Sequence, residues 1–196
     1  YLKKGSRIKV KDAVNALIIK SANDVATVIS EKISGSERDF AKLMTTYARE
    51  LGMNSTTFKN ASGLPNRAQL TTARDISKLS YELITKFPEE YKLFSKTSFK
   101  WNGKVYKTHN KLMLNYDGAD GIKTGYIKAS GFQLAFSAVR GDKRLIGIYF
   151  GGDTGKQRNE RLKYYMDSAY KKLNIKKTSI KKIEKNNGKN LSTNNK

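Results

Sequence analysis

The chain contains no cysteine among its 196 residues, only two prolines, and a single histidine, His109. The lack of cysteine excludes disulfide bonds and thiolate metal sites. One histidine excludes a metal centre built from several imidazoles. No apolar run approaches the ~20 residues that a membrane-spanning helix needs. We therefore expect no metal, no cofactor and no transmembrane segment in this chain.

Acidic residues are also scarce, and this imbalance sets the charge. Asp and Glu total 17 against 39 Lys and Arg, which gives a net charge of +22. The last 26 residues hold nine lysines and one glutamate, so they carry +8 and the remainder carries +14. Apolar residues are sparse near the C-terminus. The composition predicts a folded domain over residues 1–173 and a basic, disordered tail over residues 174–196.

The strong positive charge raises the hypothesis of a nucleic-acid-binding protein, because phosphate contacts dominate such affinities. Lysine greatly outnumbers arginine, however, and no nucleic-acid-binding motif is present. We expect no nucleic-acid partner. A DNA-retention assay across a salt series separates the two possibilities, since a steep salt dependence would support nucleic-acid binding.

Apolar residues at three- and four-residue steps predict helices in the first half of the chain, over residues 11–20, 24–35, 36–52 and 73–86. Ser21 or Asn23 is predicted to cap the second helix, and Ser36 the third. Pro88 is predicted to stop the fourth. The predicted buried stripe of the second helix comprises Val25, Val28, Ile29 and Ile33.

The pattern changes to alternation in the second half of the chain. Asn102-Gly103 between two alternating runs predicts a β-hairpin, with His109 as the residue that finishes a strand after it. Further strands are predicted over residues 121–127, 132–139 and 144–150, then a helix over 154–173 whose inner face comprises Leu162, Tyr165, Met166 and Ala169. Helices followed by an antiparallel sheet that a helix closes indicate an α+β fold.

Two short polar segments stand out against this background. Lys123-Thr124-Gly125 lies on a predicted strand, where a lysine alone usually points to solvent. A cation, a hydroxyl and a glycine together suit a peptide laid along the strand edge, with its terminal carboxylate held by Lys123 and Thr124. The second segment, Ser21-Ala22-Asn23, lies between two helices and, taken alone, is typical of a helix cap.

Taken together, "SANDVA" and "DGIKTG" resemble the second and third motifs of the penicillin-binding D-alanyl-D-alanine carboxypeptidases, serine peptidases related to class A β-lactamases. About a hundred residues separate the two motifs, as in that family. Other stretches resemble the family in the same order, namely "LKKGSRIKVKDAVNALIIKSANDVA", "FKNASGLP", "TTARDISKLS", "HNKLM" and "LIGIYFGGDTGKQR". The resemblance covers roughly Tyr1 to Leu173. It implies a β-lactamase/transpeptidase-like fold with an antiparallel sheet flanked by helices.

The resemblance also implies an activity and a location. Such enzymes remove the terminal D-alanine from the stem pentapeptide of peptidoglycan through a serine acyl-enzyme, outside the cytoplasmic membrane. By resemblance, Ser21 relays a proton to the leaving amine and Asn23 orients the substrate. Lys123 supplies positive charge where an anion develops. Endopeptidases share these motifs, so the choice between the two activities stays open.

The remaining implied site residues surround the strand. Thr124 and Gly125 line the strand against which the substrate docks, and the N–H of Tyr126 is a candidate oxyanion donor. Many relatives carry a histidine at the position of Tyr126. Arg158 stands where the family places an arginine toward the substrate carboxylate. No catalytic role is implied for His109.

The attacking serine is the missing element. The family's Ser-x-x-Lys motif is expected roughly sixty or more residues before Ser21. Ser6-Arg7-Ile8-Lys9 matches the letters, but it lies only 15 residues before Ser21, and its β-branched surroundings favour extended chain. The sequence also begins with Tyr1 rather than Met. We therefore expect the C-terminal part of a catalytic domain that is incomplete at its N-terminus.

Several consequences follow from that expectation. The chain alone is predicted to be inactive, to bind β-lactams only when the upstream nucleophile is present, and to fold poorly because of an unpaired sheet edge and an exposed apolar face. The alternative is a non-catalytic peptidoglycan-binding remnant of the family, which keeps the substrate strand without a nucleophile.

Overall fold

The computed structural model describes residues 2–175, so the predicted tail lies outside the described residues from position 176 onward. Helices come first in the chain order: α1 Val10–Asn15 with a π-helical continuation Ala16–Lys20, α2 Asn23–Ser34, α3 Glu37–Glu50, α4 Ala73–Lys86 and α5 Pro88–Tyr91 with a 3₁₀ turn Lys92–Ser95. Strands and a last helix follow: β1 Ser98–Trp101, β2 Lys104–Lys107, β3 Ala119–Ile127, β4 Gly131–Arg140, β5 Lys143–Gly152 and α6 Gly155–Lys172. This order confirms the α+β class.

The predicted capping of α2 is wrong. Its N-cap residue is Ala22, which has no side chain that could accept a hydrogen bond, and Asn23 is already the first helical residue. Ser21 instead ends the preceding π-helical segment in a left-handed conformation, with φ 56° and ψ 49°. Two helices therefore meet at a sharp joint, and Ser21 is the residue at which the chain turns.

The helix α3 begins as its sequence predicts, but the buried face of α2 differs from the prediction. Ser36 Oγ accepts a hydrogen bond from Asp39 N at 3.0 Å, as expected of a cap. On α2 the buried residues are Val25, Ala26 and Ser30. Val28 and Ile33 are 44% and 59% exposed, because the part of the chain that the structure describes packs against a narrower face of this helix.

The predicted strands form two antiparallel sheets. β1 and β2 make the hairpin, in which Asn102 and Gly103 both adopt positive φ between Trp101 and Lys104. This is the geometry of a type I′ turn. The larger sheet has the order β3-β4-β5, so β3 and β5 are its edges within residues 2–175. The candidate site lies beside β3.

The main core lies between one face of this sheet and α6. It comprises Leu134, Phe136 and Ala138 from β4 with Leu162, Met166 and Tyr170 from α6, among others. Tyr165, predicted to face inward, is 55% exposed. The four buried positions of α6 are Arg158, Leu162, Met166 and Tyr170, each four residues from the next. Tyr170 is therefore buried in the core, whereas Tyr165, for which the helical pattern predicted burial, is not.

The other face of the sheet packs against α5. Ser137 follows the core residue Phe136 on β4, so its side chain points to this other face of the sheet. It pairs with Gly121 of β3. A Cβ at Gly121 would lie 2.5 Å from the Tyr91 hydroxyl, so the two elements touch closely there. Tyr91 Oη donates to Asp120 at 3.2 Å. This contact fixes β3 just before Lys123. Within the described residues, no helix combines the length and apolarity needed to cross a membrane.

Candidate active site

Ser21 lies at the joint between the first two helices with its hydroxyl exposed. Its N–H donates to the Leu17 carbonyl at 3.2 Å, and the next N–H, of Ala22, donates to Ala16 at 3.3 Å. These bonds close the π-helical segment and fix the backbone on the N-terminal side of Ser21. On its C-terminal side α2 begins at Asn23, whose side chain is also exposed. The serine and the asparagine thus lie two residues apart at the turn between the two helices.

Lys123 of β3 meets this turn across a sequence separation of 102 residues. Its Nζ donates to Ser21 Oγ and, at 3.0 Å, to the carbonyl oxygen of Thr124. Burial lowers the pKa of the Lys123 ammonium from 10.5 to about 8. The structure therefore brings together the first residues of the two segments that the motifs singled out.

Positive charge dominates the surroundings of this pair. Burial lowers the pKa of His109, and the positive charges of Lys20 and Lys123 lower it further, which shows that the three groups lie near one another. No catalytic role is predicted for His109, and the structure places it after β2 rather than on that strand. The sequence feature that drew attention to His109 was that it is the single histidine of the chain. A site with this potential favours an anionic group.

The rest of the tripeptide continues along the edge strand. Gly125 pairs with Gln133 of β4, and a Cβ at Gly125 would lie 3.3 Å from Gln133 Oε1. Lys123 and Gly125 share one face of β3 because side chains alternate along a strand. Tyr126 is 58% exposed, and its ring packs against that of Phe132 at a tilt of 35°, with a centroid distance of 4.3 Å. Beyond Tyr126 an open cleft of about 470 Å³ continues past the turn between β3 and β4.

Arg158 of α6 contacts β4, the strand next to the edge strand β3. Its guanidinium donates to the Gln133 carbonyl at 3.0 Å and to Asn159 Oδ1 at 2.8 Å, and the residue is only 5% exposed. Burial lowers the pKa of the Arg158 guanidinium. The structure thus places Arg158 against the strand position opposite Gly125, but it does not bring Arg158 together with Ser21 and Lys123.

The letters Ser-x-x-Lys occur more than once in the sequence. Ser6 donates to the Lys3 carbonyl at 2.7 Å in a turn that precedes α1, so Ser6 and Lys9 do not share a helix. Ser168 and Lys171 also match the pattern, within α6, and another match at Ser179 lies outside the described residues. None of the hydrogen bonds found in residues 2–175 joins Ser6 or Ser168 to Lys123.

Comparison with known proteins identifies the family of the chain. A family model described as D-alanyl-D-alanine carboxypeptidase matches residues 1–154. D-alanyl-D-alanine carboxypeptidase DacD of Escherichia coli (strain K12) is 37% identical over 161 residues, covering 82% of this chain and 42% of the relative. DacF of Bacillus subtilis (strain 168) is 35% identical over 175 residues, covering 87% and 45%. The chain thus spans about half the length of the curated relatives it matches.

Solved structures agree with the sequence comparison. Penicillin-binding protein 6B from Escherichia coli superposes with a TM-score of 0.80 at 35% identity, covering 85% of this chain and 53% of that one. The carboxypeptidase DacD from Francisella tularensis gives a TM-score of 0.84 at 26% identity, covering 86% and 54%. The β-lactamase/transpeptidase-like fold is therefore confirmed. The chain belongs to the D-alanyl-D-alanine carboxypeptidase family.

Proposed function

We propose that Ser21, Asn23 and Lys123 form part of a site that cleaves the terminal D-Ala-D-Ala bond of peptidoglycan stem peptides. In this proposal Ser21 passes a proton toward the leaving amine, since a hydroxyl can both accept and donate. Asn23 orients the substrate by its amide, and Lys123 stabilises the negative charge that develops during acyl transfer. The single observation that carries the proposal is the contact between Lys123 Nζ and Ser21 Oγ.

The substrate is proposed to lie along the edge of β3. The outer edge of β3 pairs with no strand in residues 2–175, so its backbone groups can bond an extended peptide. Thr124 and Gly125 line this edge, and the N–H of Tyr126 is the candidate oxyanion donor. The positive potential from Lys20 and Lys123 favours the terminal carboxylate of such a peptide. Arg158 supports the same edge from behind, through Gln133.

We further propose that the attacking serine is contributed by residues outside these 196, and that the chain acts outside the cytoplasmic membrane, where its substrate lies. With the attacking serine present, β-lactams would acylate the same site. The alternative function is peptidoglycan binding without hydrolysis. That alternative requires the edge of β3 and the Lys123 ammonium, and both lie within the described residues.

Fluorescent penicillin tests this proposal in the source cells. A cell extract is labelled, the chain is captured with an antibody raised against residues of α3, and the captured material is separated on a gel. A labelled band well above 22.1 kDa supports the carboxypeptidase proposal. An unlabelled band of any size contradicts it and supports the non-catalytic alternative if that band still binds peptidoglycan.

A further inference from the structure

The positive charge of the described residues is concentrated in two stretches of the chain. The first stretch, residues 2–11, has no acidic residue and holds five cations, namely Lys3, Lys4, Arg7, Lys9 and Lys11. The second stretch, residues 91–116, also has no acidic residue, and its hairpin carries Lys100, Lys104 and Lys107. By contrast, residues 23–50, which include α2 and α3, hold five acidic residues against four cations. The excess of positive charge is therefore local.

The two stretches border the same small core. Leu2 and Ile8 of the first stretch and Phe99 of the second pack against one buried cluster, which is formed by Ala13, Ala16 and Val25. The N–H of Leu2 also donates to Asp24 at 2.8 Å, which fixes the first stretch against the start of α2. The eight cations named above are therefore carried by two segments with a common support, and we call them the basic surface.

The charges of the basic surface are not neutralised by neighbouring side chains. All eight residues are exposed, and none of the ion pairs found in residues 2–175 includes any of them. On the hairpin, Lys100 pairs with Val105 and Ser98 with Lys107, so the two lysines share the face of the hairpin opposite to Phe99. A surface with several exposed cations and no acidic partner attracts an anion that carries many charges.

The side chains of the basic surface indicate which anion it fits. Seven of the eight cations are lysines, which bind phosphate groups as point charges, whereas arginine is the usual residue for planar, bidentate recognition. The bases of a single-stranded nucleic acid stack on exposed aromatic rings, but Phe99, Trp101 and Tyr106 are half-buried. A membrane surface is bound through bulky apolar side chains, but the large apolar residues exposed within residues 2–11 and 98–107 are Val10 and Val105.

We propose that the basic surface binds a flexible polymer whose charges are phosphodiesters and which carries neither bases nor acyl chains. The hairpin leads to His109, which lies near Lys20 and Lys123, so a polymer on this surface runs beside the candidate active site. Binding of this kind holds the protein next to anionic material without using Ser21, Asn23 or Lys123. The inference therefore stands apart from the proposed cleavage reaction, and either can fail without the other.

Titration of the full 196-residue chain with fluorescently labelled poly(glycerol phosphate) across a salt series tests the inference. The hairpin variant combines Lys100→Gln, Lys104→Gln and Lys107→Gln. We expect its affinity at low salt to fall at least about tenfold, and the slope of log affinity against log salt to become shallower by about 2, because three phosphate contacts are lost. A second variant, with Lys3→Gln, Lys4→Gln and Lys9→Gln, should show a loss of the same order.

The matched control removes the same amount of charge from other exposed parts of the chain. It combines Lys32→Gln, Lys59→Gln and Lys86→Gln, which lie on α2, on the loop after α3 and on α4. Because every variant keeps the lysines of residues 176–196, any binding by that segment is the same in all of them. We expect the control to keep the affinity and the salt dependence of the parent chain. Circular dichroism checks that each variant is folded as the parent chain is.

Three results would overturn the inference. The first is a control variant that loses as much affinity as the hairpin variant, which would show that net charge alone drives binding. The second is a hairpin variant that binds the polymer as the parent chain does. The third is tighter binding to single-stranded oligothymidylate with the same number of phosphates, or to phosphatidylglycerol vesicles, than to poly(glycerol phosphate). A hairpin variant that loses the polymer but still binds a peptide ending in D-Ala-D-Ala supports two separate binding surfaces.

Discussion

The Nζ of Lys123 is bonded to Ser21 Oγ although 102 residues of sequence separate them. Ser21 lies between two helices. Lys123 lies on the edge strand β3, which pairs with β4 and packs against α5 near Gly121. The lysine is consequently half-buried, and the burial lowers its pKa to about 8. The site thus combines an open strand edge with an amine that is half-deprotonated near pH 8.

The first prediction concerns the pH dependence of stability. The pKa of Lys123 is about 8 in the folded chain, against an ordinary lysine value of 10.5, so the unfolded chain binds more protons between these values. The free energy of unfolding therefore gains a contribution from Lys123 that rises as pH goes from 8 to 10.5. Lys123→Met removes this rise. Urea unfolding at several pH values measures it, with the exposed Lys111→Met as control, which keeps the slope of the parent chain.

A second prediction uses two glycines of the same region. Ala at Gly125 meets only the end of the Gln133 side chain, at 3.3 Å, and that side chain can move. We expect Gly125→Ala to fold with a loss of less than about 1 kcal/mol. The added methyl group lies on the face of β3 that carries Lys123, and it blocks a docked peptide. Peptide affinity should fall at least about tenfold, measured by fluorescence polarisation. Unchanged affinity would place the peptide elsewhere.

Gly118 provides the matched contrast. It has φ 76°, and a Cβ there would overlap the Val139 carbonyl oxygen. Gly118→Ala is expected to cost about 2 kcal/mol or more, because it adds backbone strain to a steric clash. Thermal unfolding of both variants compares the two positions directly. If Gly125→Ala were the more destabilised of the two, the described packing of β3 against β4 would be wrong.

A third prediction concerns the contribution of Arg158 to stability through its bond to the Gln133 carbonyl. Arg158→Met leaves the Gln133 carbonyl without its charged donor, at a cost of about 1–3 kcal/mol in the free energy of unfolding. The exposed Arg161→Met, three residues further on the same helix, should stay within about 0.5 kcal/mol of the parent chain. Chemical denaturation measures both. Equal stability of the two variants would show that the Gln133 contact contributes nothing.

A fourth prediction concerns the buried cation of the main core. Arg140 is 3% exposed, lies between the rings of Tyr116 and Tyr170, and pairs with Asp167 at 3.1 Å. Arg140→Met removes the buried cation from Asp167 and is expected to cost about 3 kcal/mol, although Asp167 keeps its contacts to Lys163 and the Tyr116 hydroxyl among others. The exposed pair Lys143–Asp142 serves as control, since Lys143→Ala should cost less than about 1 kcal/mol. A cost below about 1 kcal/mol for Arg140→Met would contradict the described core.

Local signals predicted most of the fold. Asn102-Gly103 indicated the hairpin because its turn type requires positive φ at both residues, and the alternation indicated all three strands of the larger sheet. The faces of α2 and α6 were harder to predict. Tyr165 and Tyr170 are both aromatic and both fit a helical period, so only the position of the sheet decides that Tyr170 is buried.

The candidate site was predictable in part. Motif letters identified Ser21 and Lys123, but capping preferences assigned Ser21 a role that it does not have, because a left-handed turn had no local signal in the sequence. The burial of Arg158 and its bond to the Gln133 carbonyl depend on tertiary packing. The proximity of Lys20 and His109 to Lys123 depends on how β2 and the first helix approach β3, which no local pattern encodes.

The most direct test of the site is a titration of the ¹⁵N-labelled chain with a peptide ending in D-Ala-D-Ala, followed by amide chemical shifts. We predict that the largest shifts occur at Gly125 and Tyr126, with smaller ones near Ser21, and that Lys123→Met abolishes them while Lys111→Met does not. A peptide ending in L-Ala-L-Ala provides the stereochemical control. Shifts confined to other surfaces, or shifts that persist in Lys123→Met, would contradict the claim that Ser21 and Lys123 form the substrate site.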